Sequence, residues 1–241
     1  MKPVLVYGRN SVLSCLRADK RESRRLHLLR DGKRLDAFRK AAGHIPIEEH
    51  SRAELDRLAR GGIHQGVVLE ADPVPIVEFG DWLAGPRPEA LLLVVLDGVE
   101  DPHNFGAIAR SACACGAHAV IFAEDRAAPV SPVAVKSAAG AMEHIDLVRA
   151  RNLNRAVDAL REEGITIAAL DAHGDTALWT PDYAGPTALV VGSEGKGIRR
   201  SILGKSDRRV RISTPGPMPS LNASVAAAIG LAEILRQRTA S

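Results

Sequence analysis

From residue 91 onward, short runs of branched apolar residues alternate with longer amphipathic stretches, and several of these stop at a glycine. The run 91–96, L-L-L-V-V-L, reads as a strand buried on both faces. A helix is predicted over 104–115, ended by Gly116, then a strand over 119–122 and a helix over 133–139 ended by Gly140. A helix over 153–163 ended by Gly164, strands over 165–170 and 188–191, and a last helix over 222–238 complete the pattern. Such alternation restricts the chain to an α/β architecture, a mostly parallel sheet with helices on both faces. It also says where chemistry belongs, because ligands of such sheets bind beyond the carboxyl ends of the strands. The loops to read are therefore 97–104, 192–198 and 212–221.

Residues 1–70 read as a separate small α/β unit. A helix is predicted over 7–16, at a loop around Gly8, short strands at 26–29 and 67–69, and helices at 36–42 and 52–60, the latter capped by Ser51. Residues 71–89, with Pro73, Pro75, Pro86 and Pro88, read as a linker, and 90–241 as the second domain. Charge divides the same way. Residues 1–70 carry 15 Lys and Arg against 9 Asp and Glu, whereas 71–241 carry 17 against 20. A basic module beside a mildly acidic one fits a polyanionic partner such as RNA; from charge alone, a solvated helix surface accounts for it equally well. With aromatic residues at 3%, base stacking on an aromatic platform is disfavoured as the mode of binding.

The N-terminal stretch has no unbroken apolar core of the kind a signal peptide needs, and 90–96 is too short to span a bilayer. Three cysteines without framework spacing predict a reduced, cytoplasmic protein. Asn222-Ala223-Ser224 spells an N-glycosylation acceptor, but that reading has no place in the cytoplasm. Cys113 and Cys115 are two apart on a predicted helix and face different ways, so with His103 and His118 they make a poor zinc set and no metal is expected.

The first loop, L-D-G-V-E-D-P-H-N-F-G-A-I-A-R, places Asn104 where a helix N-cap is expected and Arg110 off the apolar stripe of Phe105, Ile108, Ala109 and Ala112. The second, V-V-G-S-E-G-K-G-I, has three glycines around Glu194 and Lys196. It lacks the glycine spacing and the Ser or Thr of a phosphate-binding P-loop, and it does not match G-x-G-x-x-G. The third, R-I-S-T-P-G-P-M-P-S-L-N-A-S-V-A, is stiffened by Pro215, Pro217 and Pro219 before Ser220 and Asn222, either of which can cap the last helix. Ala226, Ala227, Ala228 and Gly230 leave that helix narrow enough for close packing.

Taken in order, D-P-H-N-F-G-A-I-A-R, G-S-E-G-K-G-I and S-L-N-A-S-V-A resemble the three signature motifs of the SpoU–TrmH family of RNA ribose 2′-O-methyltransferases. V-Y-G-R-N-S-V near the start and H-Q-G at 64–66 resemble the substrate-binding module of the branch that methylates a guanosine in 23S ribosomal RNA. The resemblance implies a trefoil-knotted α/β domain and a small ribosomal-protein-like N-terminal domain. It implies S-adenosylmethionine as cofactor, contacted by Gly192, Ile212 and Leu221. Asn104, Arg110, Glu194, Ser220 and Asn222 would form the reactive constellation, with Glu194 orienting Asn104 or Arg110. A homodimer acting on 23S ribosomal RNA or a large-subunit assembly intermediate is implied as well; transfer RNA is the rival substrate, and an RNA-binding assembly factor without activity the rival class. The chain departs from the family at Ser213-Thr214, where Pro-Met is usual.

Overall fold

The computed structural model describes residues 2–125, 130–218 and 220–239. Pro219, one of the three prolines read as stiffening the third loop, lies outside them. The N-terminal unit contains β1 (Val4–Tyr7), α1 (Arg9–Ala18), β2 (Ser23–Leu29), α2 (Asp36–Ala42), β3 (Ile47–His50), α3 (Arg52–Leu58) and β4 (Val67–Ala71). They form a sheet of order β1-β4-β2-β3, with β2 and β3 parallel and β4 antiparallel to both β1 and β2. Tyr7 ends β1, paired with Val68, and does not join the helix predicted over 7–16, because Gly8, at φ +92°, breaks the chain between β1 and α1 in a backbone region that favours glycine. A capping box between Ser51 and Glu54 starts α3.

The segment read as a linker carries β5 (Val77–Glu78) and α4 (Phe79–Ala84). β5 pairs in parallel with β8 (Asp146–Ala150). Phe79, Trp82 and Leu83 pack on the core, and Trp82 Nε1 donates to Asp146 Oδ2 at 3.2 Å. This stretch is thus partly built into the large sheet.

That sheet has eight strands, all in parallel pairings: β6 (Leu92–Asp97), β7 (Ala119–Ala123), β9 (Thr166–Leu170), β10 (Thr176–Ala177), β11 (Thr187–Gly192) and β12 (Arg208–Arg211) join β5 and β8 in the order β10-β12-β9-β11-β6-β7-β8-β5. Between the strands run α5 (Pro102–Ala114), α6 (Pro132–Ser137), a 3₁₀ turn (Ala141–Glu143), α7 (Leu153–Glu162) and α8 (Arg200–Leu203), and α9 (Ala223–Thr239) closes the chain. β6 shows why the run 91–96 is apolar throughout. Leu92, Val94 and Leu96 face the core under α5 and α9, while Leu93 and Val95 face the core under α7.

The two units share one continuous apolar cluster, and polar contacts close their seam. Arg21 pairs with Glu143, both side chains 1% exposed. Lys20 Nζ donates to Ile145 O at 2.6 Å, and Ser14 Oγ lies 2.8 Å from His144 Nε2. Among the described residues no helix is long and apolar enough to cross a membrane.

Candidate functional site

The first loop positions Asn104 differently from the expectation. Asp101 is the N-cap of α5, its side chain accepting from His103 N at 2.9 Å, with Pro102 in the first turn. Asn104 therefore lies inside the helix, only 7% exposed. Its amide is free to reach across, and Nδ2 donates to Glu194 Oε1 at 2.9 Å.

The second loop is folded back on itself. Ser193 N donates to Gly197 O at 3.2 Å, and Gly197 N to Ser193 O at 2.9 Å. A Cβ on Gly192 would stand 2.3 Å from the Gly197 carbonyl carbon and 2.4 Å from Ile198 N, so only glycine allows this turn. The base of the loop is held by Asp97 at the end of β6, which accepts from Arg199 N at 2.8 Å and Nε at 2.6 Å. Asp97 and Arg199 are positioning residues that sequence reasoning did not single out. Their only signal was an acidic residue ending an apolar strand, and its partner stands 102 residues away.

The third loop leads into α9 through Asn222. Its Oδ1 accepts from Ser224 N at 2.9 Å and Val225 N at 3.3 Å, which confirms the cap. Its Nδ2 donates to Asn104 Oδ1 at 3.0 Å and also to Glu194 Oε1. Asn104, Glu194 and Asn222 thus form one network that ties all three loops together at the carboxyl ends of β6 and β11. α9 itself is fixed at its far end by Arg238, which donates to the carbonyls of Tyr183, Ala90, Leu91 and Gly185. Asn222→Ala is expected to lower stability by about 1 kcal/mol, a melting shift of roughly 2–4 °C, and, with the three loops untied, to lower the activity of the site as well. Thermal unfolding and turnover assays check both, and retention of both values would contradict the double role.

The structure does not bring every predicted site residue into this network. Arg110 is exposed and has no hydrogen-bond or ion-pair partner among the described residues. It stands six residues beyond Asn104, about 9 Å further along α5 and on a different face. Glu194 therefore orients the two asparagines in this chain and not Arg110. Ser220 and Leu221 are exposed on the third loop, with Ile212 half-buried at its start and Gly192 at the start of the second. Beside Arg110, Ala107 and Ser111 of α5 and Ser224, Val225, Ala228, Ile229 and Ala232 of α9 line a shallow groove of about 440 Å³, mostly apolar.

The N-terminal stretches V-Y-G-R-N and H-Q-G meet each other. Arg9 N donates to Gln65 Oε1 at 2.9 Å, and His64, 6% exposed, is held between Asp56 Oδ1 and Gly66 N. This turn faces the large domain, because Lys136 Nζ of α6 lies over the Tyr7 ring, 5.3 Å from its centroid. The next residue of α6, Ser137, is 3.2 Å from His103 Nδ1, beside Asn104.

Residues 91–232 match the sequence model of the SpoU rRNA methylase family, and residues 5–77 that of the RNA 2′-O ribose methyltransferase substrate-binding family. An uncharacterized tRNA/rRNA methyltransferase of Mycolicibacterium smegmatis is 44% identical over 241 residues, covering 97% of this chain and 76% of its own. The solved structure of the SpoU methyltransferase AviRb from Streptomyces viridochromogenes, in complex with AdoMet, superposes with a TM-score of 0.83 at 28% identity, covering 100% of this chain and 92% of that one. The A. aeolicus TrmH/SpoU tRNA modifying enzyme covers 67% of this chain and 85% of its own, with a TM-score of 0.58 at 27% identity. Fold and site thus define an S-adenosylmethionine-dependent RNA methyltransferase. The chain belongs to the SpoU rRNA methylase family.

The third loop is suited to such a cofactor. From Ser213 to Leu221, no backbone N–H donates to another group of the chain among the described residues. Met218 is 70% exposed and Leu221 37%, so apolar side chains and free backbone donors stand together at the loop. An adenine ring needs both kinds of contact.

Proposed function

We propose that this protein methylates a ribose 2′-hydroxyl, on a guanosine of 23S ribosomal RNA. The observation that carries the reading is the path from the Gly8–Gln65 turn through Tyr7, Lys136 and Ser137 to His103 and Asn104. A substrate held at the N-terminal turn is thereby presented on the side of the large domain where the three loops converge. The match of residues 91–232 to the SpoU rRNA methylase family model, beside the smaller coverage of this chain by the tRNA-modifying structure, supports a ribosomal over a transfer RNA substrate. Residues 1–70 and 90–241 serve as the RNA-binding and methyltransferase domains in this reading, and the knotted threading of the family is supported by the convergence of loops 97–104, 192–198 and 212–222.

S-adenosylmethionine supplies a methyl group on a sulfonium, and Gly192, Ile212 and Leu221 would hold it, largely through backbone. The rest of the work is positioning and removal of the hydroxyl proton. Asn104, Glu194 and Asn222 keep the loops in one geometry, and Ser220, exposed and without a hydrogen-bond partner among the described residues, would bond substrate or cofactor. Arg110, through its guanidinium, stabilises the developing alkoxide and clamps an RNA phosphate. Its distance from the network supports a homodimer packed through the α5–α9 groove, in which Arg110, next in sequence to the groove-lining Ser111, serves a site assembled at the interface. The free thiols of Cys15, Cys113 and Cys115 fit a cytoplasmic enzyme.

Ribose-methylation mapping of total RNA from a deletion strain tests the substrate. Loss of a single 2′-O-methylguanosine in 23S ribosomal RNA, restored by the wild-type gene and not by Arg110→Ala, is expected. Loss of a transfer RNA mark instead would reject the ribosomal assignment, and no lost mark would reject both.

A further inference from the structure

The N-terminal sheet carries a second polar cluster, far in sequence from the three loops. His27 on β2 stands directly opposite Glu48 on β3, and His50 follows two residues later on the same face. His27 Nδ1 lies 2.9 Å from His50 Nε2. Glu48 Oε2 lies 3.6 Å from each of those two nitrogens. Ligands about 2.0–2.2 Å from a tetrahedral zinc ion stand about 3.3–3.6 Å apart. Two of the three edges meet that spacing as they stand, and the third needs to open by about 0.4 Å to reach it.

We infer that His27, His50 and Glu48 form a mononuclear site for a divalent transition-metal cation of the zinc class, with the fourth position left to water. Two features beyond the triangle point the same way. His27 Nε2, the nitrogen turned away from the cluster, lies 3.2 Å from Glu70 Oε1 on β4. A carboxylate on the second ring nitrogen is the usual partner of a metal-bound histidine, since it fixes the tautomer and aims the lone pair. With Nε2–H donated to Glu70, Nδ1 is the lone-pair nitrogen and faces the cluster. Glu48 is fixed as well: Arg25 Nη1 donates to its Oε1 at 2.6 Å, leaving Oε2 toward the histidines. His27 is only 3% exposed, so the site has one buried anchor and an open side formed by Glu48 and His50.

The donor set is two imidazoles and one carboxylate, which suits zinc and its neighbours and not magnesium, which takes oxygen ligands. In the metal-free protein the short His–His contact is a hydrogen bond from His50 Nε2–H to His27 Nδ1. On metal binding His50 carries its proton on Nδ1 instead, so the change of tautomer balances the step. The consequence is mechanical. β3 is an edge strand, and the cation would tie it to β2 and, through Glu70, to β4.

The test uses the full chain stripped with a chelator. Calorimetric titration with Zn²⁺, and with Co²⁺ read by the visible absorption of four-coordinate cobalt, is expected to give one tight equivalent per chain, with no response to Mg²⁺. His50→Ala and Glu48→Gln change partly exposed side chains, so the fold is expected to survive, with circular dichroism as the check. His50→Ala should lose the tight equivalent, and Glu70→Gln should weaken it by about 10- to 100-fold. Zn²⁺ should raise the melting temperature of the wild type and not of His50→Ala. A wild type that takes up no zinc, or a folded His50→Ala variant that binds as tightly as the wild type, would overturn the assignment.

Discussion

Arg21→Met is expected to cost the folded protein about 3–5 kcal/mol, a loss large enough to threaten folding at growth temperature. Arg21 and Glu143 are each buried to the same degree, and the pair sits in the seam between the N-terminal unit and the large sheet. Arg21 Nη2 and Nε face the two carboxylate oxygens, at 2.5 and 3.3 Å, and Nη1 donates to Asp72 O at 2.8 Å. Removing the guanidinium leaves a carboxylate without its counter-charge in a place water does not reach, and the Asp72 carbonyl loses its donor. The penalty is therefore that of an orphaned charge, greater than the net worth of the pair. The double variant Arg21→Met/Glu143→Leu separates the two quantities, since it removes both charges and leaves apolar volume in a region already continuous with the core. It is expected to recover most of the lost stability. Chemical denaturation of the three proteins measures this, and a single variant within 1 kcal/mol of wild type would show that water reaches Glu143.

The same seam marks where sequence reading stops. Arg21 and Glu143 are 122 residues apart, and nothing local to either predicts the other. Elements with a strong local signature were legible: β6, β7, β9 and β11 are continuous apolar runs, and α2, α3, α5 and α7 carry caps or apolar stripes. Those that were missed are short or charged. β12 is R-R-V-R with only Val210 buried, β3 is I-E-E-H, and β8 mixes charge with its apolar residues. Such strands are held by their neighbours in the sheet, so their own sequences carry little of the signal. At the site, the motifs singled out Asn104, Glu194 and Asn222, which the fold brings into one network, but the place of Asn104 inside its helix was not legible. Asp101-Pro102 was the true start signal, and reading it would have put Asn104 inside α5, free to bond Glu194 and Asn222. The cation cluster was invisible for the same reason as β3, since it exists only once β2, β3 and β4 are in register.

Arg110→Ala is expected to lower methyl transfer by about a hundred- to a thousandfold while leaving S-adenosylmethionine binding near wild type. Among the described residues Arg110 makes no hydrogen bond or ion pair with loops 192–198 or 212–222, so its removal should not disturb the surfaces assigned to the cofactor. It is also an exposed cation with no hydrogen-bond or ion-pair partner among the described residues, so truncation should cost little stability. These two features make the variant informative, because a fall in turnover could not be traced to unfolding or to a lost cofactor. The kinetic constants then divide its two assigned tasks. A guanidinium acting on the developing alkoxide contributes only in the transition state, so its loss lowers kcat with KM for RNA unchanged. One that clamps a phosphate contributes to the bound ground state as well, so its loss raises KM. Arg110→Lys keeps the charge and loses the planar fork, and should restore part of the activity if charge matters more than two-point geometry. Mixing Arg110→Ala chains with chains disabled by Asn104→Ala adds a test of the assembled site. If Arg110 serves the partner's network, the mixture should regain activity that neither variant has alone. A mixture as inactive as its components would place Arg110 and the network in the same protomer's site.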